Sequence, residues 1–288
     1  MINVTWPRQR LVGLSLRQYR ESLGYSLRDA AKILECDVSK ISRIETGHRG
    51  IRPKELRELL TEYGIDSSVQ DALAAIGRPR RHSGWWSEYG DALTGGYLDF
   101  VAAESAASAI AAYAPVQVPE LLQTAGYAQA VTAADTSVPA DAELVIVAAT
   151  LARQEAVLHE HGPILTVVIG EAALRQRAAS TEVMRAQLRH LTGLADGRSQ
   201  VTIRLLPLAA GAPAAGGTGG FTVLQFGQVP AIGLVHVAGP SGGICPDDPS
   251  ATATYLRAFT RLESLSLSPE ASARRIRQLA RSSPHAGV

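Results

Sequence analysis

The stretch Ser26–Gly47, SLRDAAKILECDVSKISRIETG, decides how the first part of the chain folds. Ser26 followed three residues later by Asp29 is a capping-box pattern, so a helix begins at Leu27. Ala30 and Ala31 are small enough to let a second helix cross closely, and Leu27, Ala31 and Leu34 share the buried face. The chain turns at Glu35–Cys36, where Asp37 is a good N-cap for the next helix. From that helix Ile41 and Ile44 point inward. Ser39, Ser42, Arg43 and Thr46 are left outward, and Val38 and Lys40 occupy its exposed first turn.

A helix patterned in this way suits the major groove of double-stranded DNA, where residues near the helix N-terminus meet base edges. Arg43 has the fork geometry for guanine, Ser39 and Ser42 can donate or accept at several bases, and Val38 fits a thymine methyl. Lys40 is expected on a phosphate, as are Arg28, Arg49 and Arg52 from neighbouring turns.

Outward from this segment, turn glycines divide the first 76 residues into helical pieces. Gly24 follows Leu11–Leu23, Gly47 follows Val38–Thr46 and Gly64 follows Pro53–Tyr63, while Ser68–Ile76 ends at Gly77. The expected unit is a five-helix, all-α helix-turn-helix domain over 1–76. The run GRPRRHSG at Gly77–Gly84 carries no apolar face and opens a linker over 77–96. Trp85, Trp86 and Tyr89 lie within it. They either pack the linker onto the next domain or line a partner groove.

Residues 97–282 read as a second, α+β domain, with 283–288 as a tail. Helical periodicity is expected at Tyr97–Tyr113, Pro119–Ala134, Asp141–His161, Thr181–Ala195, Pro249–Leu265 and Ser268–Arg281. Strands are expected at Ile164–Ile169, Val201–Leu206, Phe221–Phe226 and Ile232–Val237, clustered in the second half of the domain.

Charge divides along the same line. Met1–His82 holds 15 Lys+Arg against 10 Asp+Glu, and the remainder 13 against 17, beneath an overall net charge of +1. A basic head on an acidic body fits one nucleic-acid-facing module. Cys36 and Cys245 stand far apart, so no disulfide framework is implied. The N-terminus has no apolar stretch behind a basic start, and no apolar run is long enough to span a bilayer, so a cytoplasmic protein is expected.

Residues 11–64 resemble the repressor-type helix-turn-helix family typified by phage repressors and Xre, most closely at SKISRIETG, Ser39–Gly47. The resemblance implies a structural pair between Arg20 and Glu45. It also marks Glu35 as a departure, since the family commonly has glycine at that turn. If the position needs a left-handed backbone, the strain is about 1 kcal/mol.

The second domain is similar to the antitoxin-like C-terminal domain of a group of actinobacterial regulators. Trp85–Trp86, PELLQTAGYA at Pro119–Ala128, ARQEAVL at Ala152–Leu158, MRAQLRHL at Met184–Leu191, VTIRLLPLAAGA at Val201–Ala212, GGFTVLQF at Gly219–Phe226 and LSPEASARRIRQLA at Leu267–Ala280 carry this similarity. It implies a regulator often encoded beside a small protein partner. Glu120 departs from that pattern, as does Arg175–Ser180, each lacking the usual glycine.

The second domain offers little chemistry of its own. Glu155, His159 and His161 have a spacing that can hold a metal, but a solvated helix end explains them equally. Gly211–Gly220 precedes a strand and lacks the Gly-Lys-Ser/Thr ending of a phosphate loop. A hairpin at Gly239–Gly243 can bring His236 near Cys245, with nothing further to make a nucleophile. No cofactor, no metal and no catalysis are expected. The sequence therefore reads as a DNA-binding transcriptional regulator, expected to be a homodimer on a palindromic operator and controlled by a small protein. The alternative is control by a small-molecule ligand in the second domain.

Overall fold

The computed structural model describes residues 7–77, 85–89, 93, 95–105, 107–211, 219–226, 233–237, 239 and 251–281. The first domain has helices α1 (Pro7–Ser22), α2 (Leu27–Ile33), α3 (Val38–Glu45), α4 (Pro53–Glu62) and α5 (Ser67–Gly77). Local chemistry sets their ends. The Ser26 hydroxyl accepts from the Asp29 amide while Asp29 reaches back to the Ser26 amide, completing the capping box. Asp37 accepts from the Ser39 amide at 2.8 Å and starts α3. Leu16, Ile41, Ile44, Leu56, Leu60 and Leu73 are almost wholly buried between the five helices.

Gly13 sits where α1 meets the end of α3. A Cβ there would lie 2.2 Å from the Ile44 carbonyl oxygen and 2.8 Å from that of Glu45. The missing side chain is what lets α1 rest on the last turn of α3.

The second domain has α6 (Gly95–Glu104), β1 (Ala109–Ala114), α7 (Ala125–Ala134), α8 (Glu143–Val157), β2 (Ile164–Gly170), α9 (Glu171–Arg175), α10 (Thr181–Gly197), β3 (Val201–Leu206), β4 (Phe221–Gln225), β5 (Gly233–Val237), α11 (Ala251–Leu265) and α12 (Pro269–Arg281). One mixed sheet runs β3-β2-β1-β4-β5, with β1, β2 and β3 parallel and β4 and β5 antiparallel to their neighbours. Side chains alternate across it. Ala111, Tyr113, Phe221 and Val223 meet Phe259 and Leu262 of α11 on one face, and Ile110, Leu165, Val167 and Leu224 join the core on the other.

The expected α+β architecture is present, but the stretch expected as one helix over Tyr97–Tyr113 is divided. α6 stops at Glu104 and AIAAYA becomes β1, the central strand of the sheet. Pairing on both edges and burial at four consecutive positions override the helical preference of alanine. The stretch from Pro119 also departs from a single helix. A 3-10 turn covers Glu120–Leu122, and Thr124 then caps α7.

Trp85–Tyr89 forms a 3-10 turn against α8, with Trp85 in edge contact with both Trp86 and Tyr89. Trp86 is buried in the apolar core and Trp85 packs against it, while Tyr89 meets Trp85. α6 also packs against α1, so the apolar core runs on from one domain into the other. The linker residues 78–84, the centre of the small-residue tract at 212–218, the hairpin with Cys245 and the tail from 282 lie outside the described residues. No helix among the described residues is long and apolar enough to cross a membrane.

An interior helical glycine normally gains about 0.5–1 kcal/mol on becoming alanine. Gly13→Ala should reverse that sign, because the added methyl meets backbone atoms. Urea unfolding should show a lower midpoint than the parent; a raised midpoint would mean that α1 does not rest on α3 as described.

Candidate nucleic-acid interface

The orientation of α3 is fixed from behind by one buried ion pair. Arg20 on α1 donates Nε to Glu45 Oε1 at 2.7 Å and Nη2 to Glu45 Oε2 at 2.9 Å, and Nη1 to the Tyr25 carbonyl at 2.7 Å. Both side chains are under a tenth exposed. The Glu45 hydrogen bond raises the Arg20 pKa above its ordinary value. The Arg20–Glu45 pair expected from the sequence is thus present, and its role is positional.

Pinned in this way, α3 presents its other side to solvent. Val38, Ser39, Arg43 and Thr46 are exposed, while Ile41 and Ile44 are 1 % exposed beneath them. Ser42 is half-buried, and its carbonyl accepts from the Thr46 hydroxyl at 2.7 Å. Arg43 lies back along the helix, its Nε 3.3 Å from the Ser39 carbonyl. Arg28 on α2, Arg49 after α3 and Arg52 at the start of α4 are all exposed. None of these three, nor Arg43, has a carboxylate partner among the described residues. Unpaired, solvated guanidiniums around an exposed helix are what phosphate and base contacts require.

Lys40 is placed differently. Its Nζ is 2.7 Å from Glu55 Oε1 on α4, and both side chains are about one-fifth exposed. A phosphate contact by Lys40 would have to share or replace that carboxylate. The turn before α3 holds Glu35 at φ 46, the left-handed region that a glycine would occupy without strain.

The second domain has its own buried ion pair. Arg153 on α8 donates Nε and Nη2 to the two oxygens of Glu104 on α6, at 2.6 and 2.7 Å, and Nη1 to the Tyr97 hydroxyl at 2.9 Å and to Glu120. Glu104 is wholly buried. Burial opposes the Arg153 charge, and the attraction of Glu104, then of Tyr97 and Glu120, outweighs it, holding the pKa well above the usual value. Glu120, singled out in the sequence as a departure, is therefore one of the partners of this arginine.

Beside the pair lies a cavity of about 490 Å³, bounded by α6, the segment 114–121 after β1, α8 and the sheet. Its polar side chains include Glu104, Gln117, Glu120, Asp135, Arg153 and His236, and its floor is made by Ile110, Ala112, Leu165 and Val167. The His236 ring stacks on Phe100 at 4.2 Å, and burial, then the Arg153 charge, lowers its pKa to about 4, so it is neutral. Trp85, Trp86 and Tyr89 do not line this space. No sequence signal pointed to it, because its residues are drawn from segments far apart along the chain. At the end of α8, Glu155 is exposed and the His161 amide donates to His159 Nδ1; no three candidate ligands cluster for a metal among the described residues.

Residues 97–278, more than half of the chain, match the family described as a domain of unknown function (DUF5753), and residues 11–73 match a helix-turn-helix domain. No curated protein and no solved structure matches the chain.

Arg20→Met should destabilise the protein by about 3–5 kcal/mol, because it leaves the buried Glu45 side chain without its partner. Glu35→Gly should act oppositely but weakly, stabilising by about 0.5 kcal/mol or less, because the gain in unfolded-chain freedom offsets most of the relieved strain. Denaturant unfolding of both variants reads the two signs; a destabilised Glu35→Gly would overturn the strained-turn assignment.

Proposed function

We propose that this chain, which belongs to the family defined by the domain of unknown function DUF5753, is a sequence-specific transcriptional regulator whose second domain receives the signal that sets its DNA affinity. The observation that carries the first half is α3, buried on Ile41 and Ile44, exposed at Val38, Ser39 and Arg43, and flanked by unpaired arginines. Its match to a helix-turn-helix domain makes DNA the partner to which that surface belongs.

In this reading the protein is a cytoplasmic homodimer, because one short recognition helix reads a half-site and two are needed for an operator. Arg43, Ser39, Ser42 and Val38 read bases, and Arg28, Arg49, Arg52 and Lys40 hold phosphates, Lys40 by exchanging Glu55 for DNA. The second domain acts by binding and not by catalysis.

Two signals compete for that domain. The similarity to antitoxin-like regulators favours a small protein encoded nearby. The cavity favours a small molecule, since about 490 Å³ falls within the range of about 300–1,000 Å³ usual for such sites. The geometry supports the small molecule better, because the space already carries placed polar groups.

Selection of duplexes from a random pool by the full-length protein should enrich a palindrome, its half-site centres one or more helical turns of about 10 base pairs apart. Arg43→Ala should weaken binding to the selected duplex by about 1–3 kcal/mol and relax one base position. An unenriched pool, or an Arg43→Ala variant with unchanged affinity and preference, would overturn the assignment of α3.

A further inference from the structure

The cavity sits where the sheet changes direction. From β1 the chain passes to β2 and β3 on one side, whereas β4 and β5 lie on the other, and the cavity opens beside the segment that leaves the C-terminal end of β1. In open sheets with parallel strands this is where ligands bind, because diverging connections leave a crevice that the sheet itself cannot fill.

Its chemistry selects the ligand. Four of the five N–H donors of Arg153 are already engaged, by Glu104, Tyr97 and Glu120. An anion would gain little from Arg153 and would meet the carboxylates of Glu104, Glu120 and Asp135, all of which border the space. A neutral group meets no such opposition, and a cation placed beside Glu120 meets it only from Arg153, whose charge Glu104 and Glu120 offset. Glu120 stands at the rim, its side chain 46 % exposed, and its Oε1 accepts no hydrogen bond from the described residues. The uncharged His236 imidazole offers one donor and one acceptor at the wall. The apolar floor and the Phe100 ring then favour a flat hydrophobic body.

The same wall reaches the DNA-binding domain. Tyr97, Phe100 and Glu104 lie on one face of α6, at positions i, i+3 and i+7, and border the cavity. α6 packs against α1, and α1 holds α3 through Gly13 and the Arg20–Glu45 pair.

We propose that the cavity binds a neutral or cationic, largely apolar small molecule, and that α6 passes its occupancy to α1 and so to the DNA affinity of α3. The second clause rests on the reading of the chain as a DNA-binding regulator; the first does not.

The test uses full-length protein and two fluorescent probes that differ by one charge, neutral N-phenyl-1-naphthylamine and anionic 1-anilinonaphthalene-8-sulfonate. The neutral probe should bind saturably at one site per chain, with the sulfonate at least about tenfold weaker. Val116→Trp, at a rim position 63 % exposed, and Ile146→Trp, on the α8 wall, should each abolish binding without lowering the thermal midpoint. Saturating neutral probe should change the affinity for the selected duplex at least about threefold in the parent and not in Val116→Trp.

Absence of saturable neutral-probe binding, or binding that survives both tryptophans, would overturn the site. Equal affinity for the sulfonate would overturn the ligand class. Probe binding with unchanged DNA affinity would overturn the coupling through α6. A protein that binds the probe but selects no duplex would sink the regulator reading and leave the cavity assignment standing.

Discussion

The pairing of Arg153 with Glu104 is the constraint around which the second domain is arranged. Both side chains are buried, and taking two charges from water is unfavourable by several kcal/mol for each ion unless geometry and hydrogen bonds compensate. Here the fork of Arg153 meets both oxygens of Glu104, and two of its three remaining donors reach Tyr97 and Glu120. The compensation is complete only when α6, α8 and the turn at Glu120–Leu122 hold one relative position. The pair therefore selects an arrangement more than it adds stability. The first domain uses the same device, since Arg20 and Glu45 set α3 against α1. Each domain thus places its working helix with one buried, two-pronged arginine–carboxylate contact.

What the sequence disclosed follows from how local each determinant is. The caps at Ser26 and Asp37 act within three residues, and Ile41 and Ile44 lie on one face of α3, so the helix-turn-helix was legible from a short window. Glu35 was legible as a question, because only a backbone at positive φ makes a missing glycine matter, and φ is 46 there. β1 was not legible. A central strand is buried on both faces and shows no alternation, and AIAAYA, following an apolar helical stretch, continues its pattern. The sheet partners that make it a strand, Ile164–Ile169 and Phe221–Gln225, lie well over 40 residues away in sequence.

The cavity was illegible for the same reason. Glu104, Glu120, Arg153 and His236 have no common spacing, and each alone reads as an ordinary polar residue. Glu120 drew notice only as a departure from a resembled pattern, and the structure gives that departure a physical sense as a partner of Arg153. The aromatic residues at 85–89 drew attention through composition and lie against α8, whereas the aromatic side chains that border the space include Tyr97, Phe100, Tyr113 and Phe221.

A helix that borders a cavity on one face and another domain on a second is constrained by both. For a ligand to shift DNA affinity, it must bind one position of α6 better than another, by as much free energy as the shift requires. A threefold change in affinity corresponds to less than about 1 kcal/mol, well under the strength of a buried charged hydrogen bond. The Arg153–Glu104 contact is buried and the arginine nearly saturated, so a ligand that changed how Glu120 or Tyr97 takes its Nη1 donors would act on Glu104, the last residue of α6. That helix rests on α1, whose Gly13 leaves no space between it and the carbonyls ending α3. Close packing without a cushioning side chain at that contact means that movement of α1 must be followed by α3 or opposed by it.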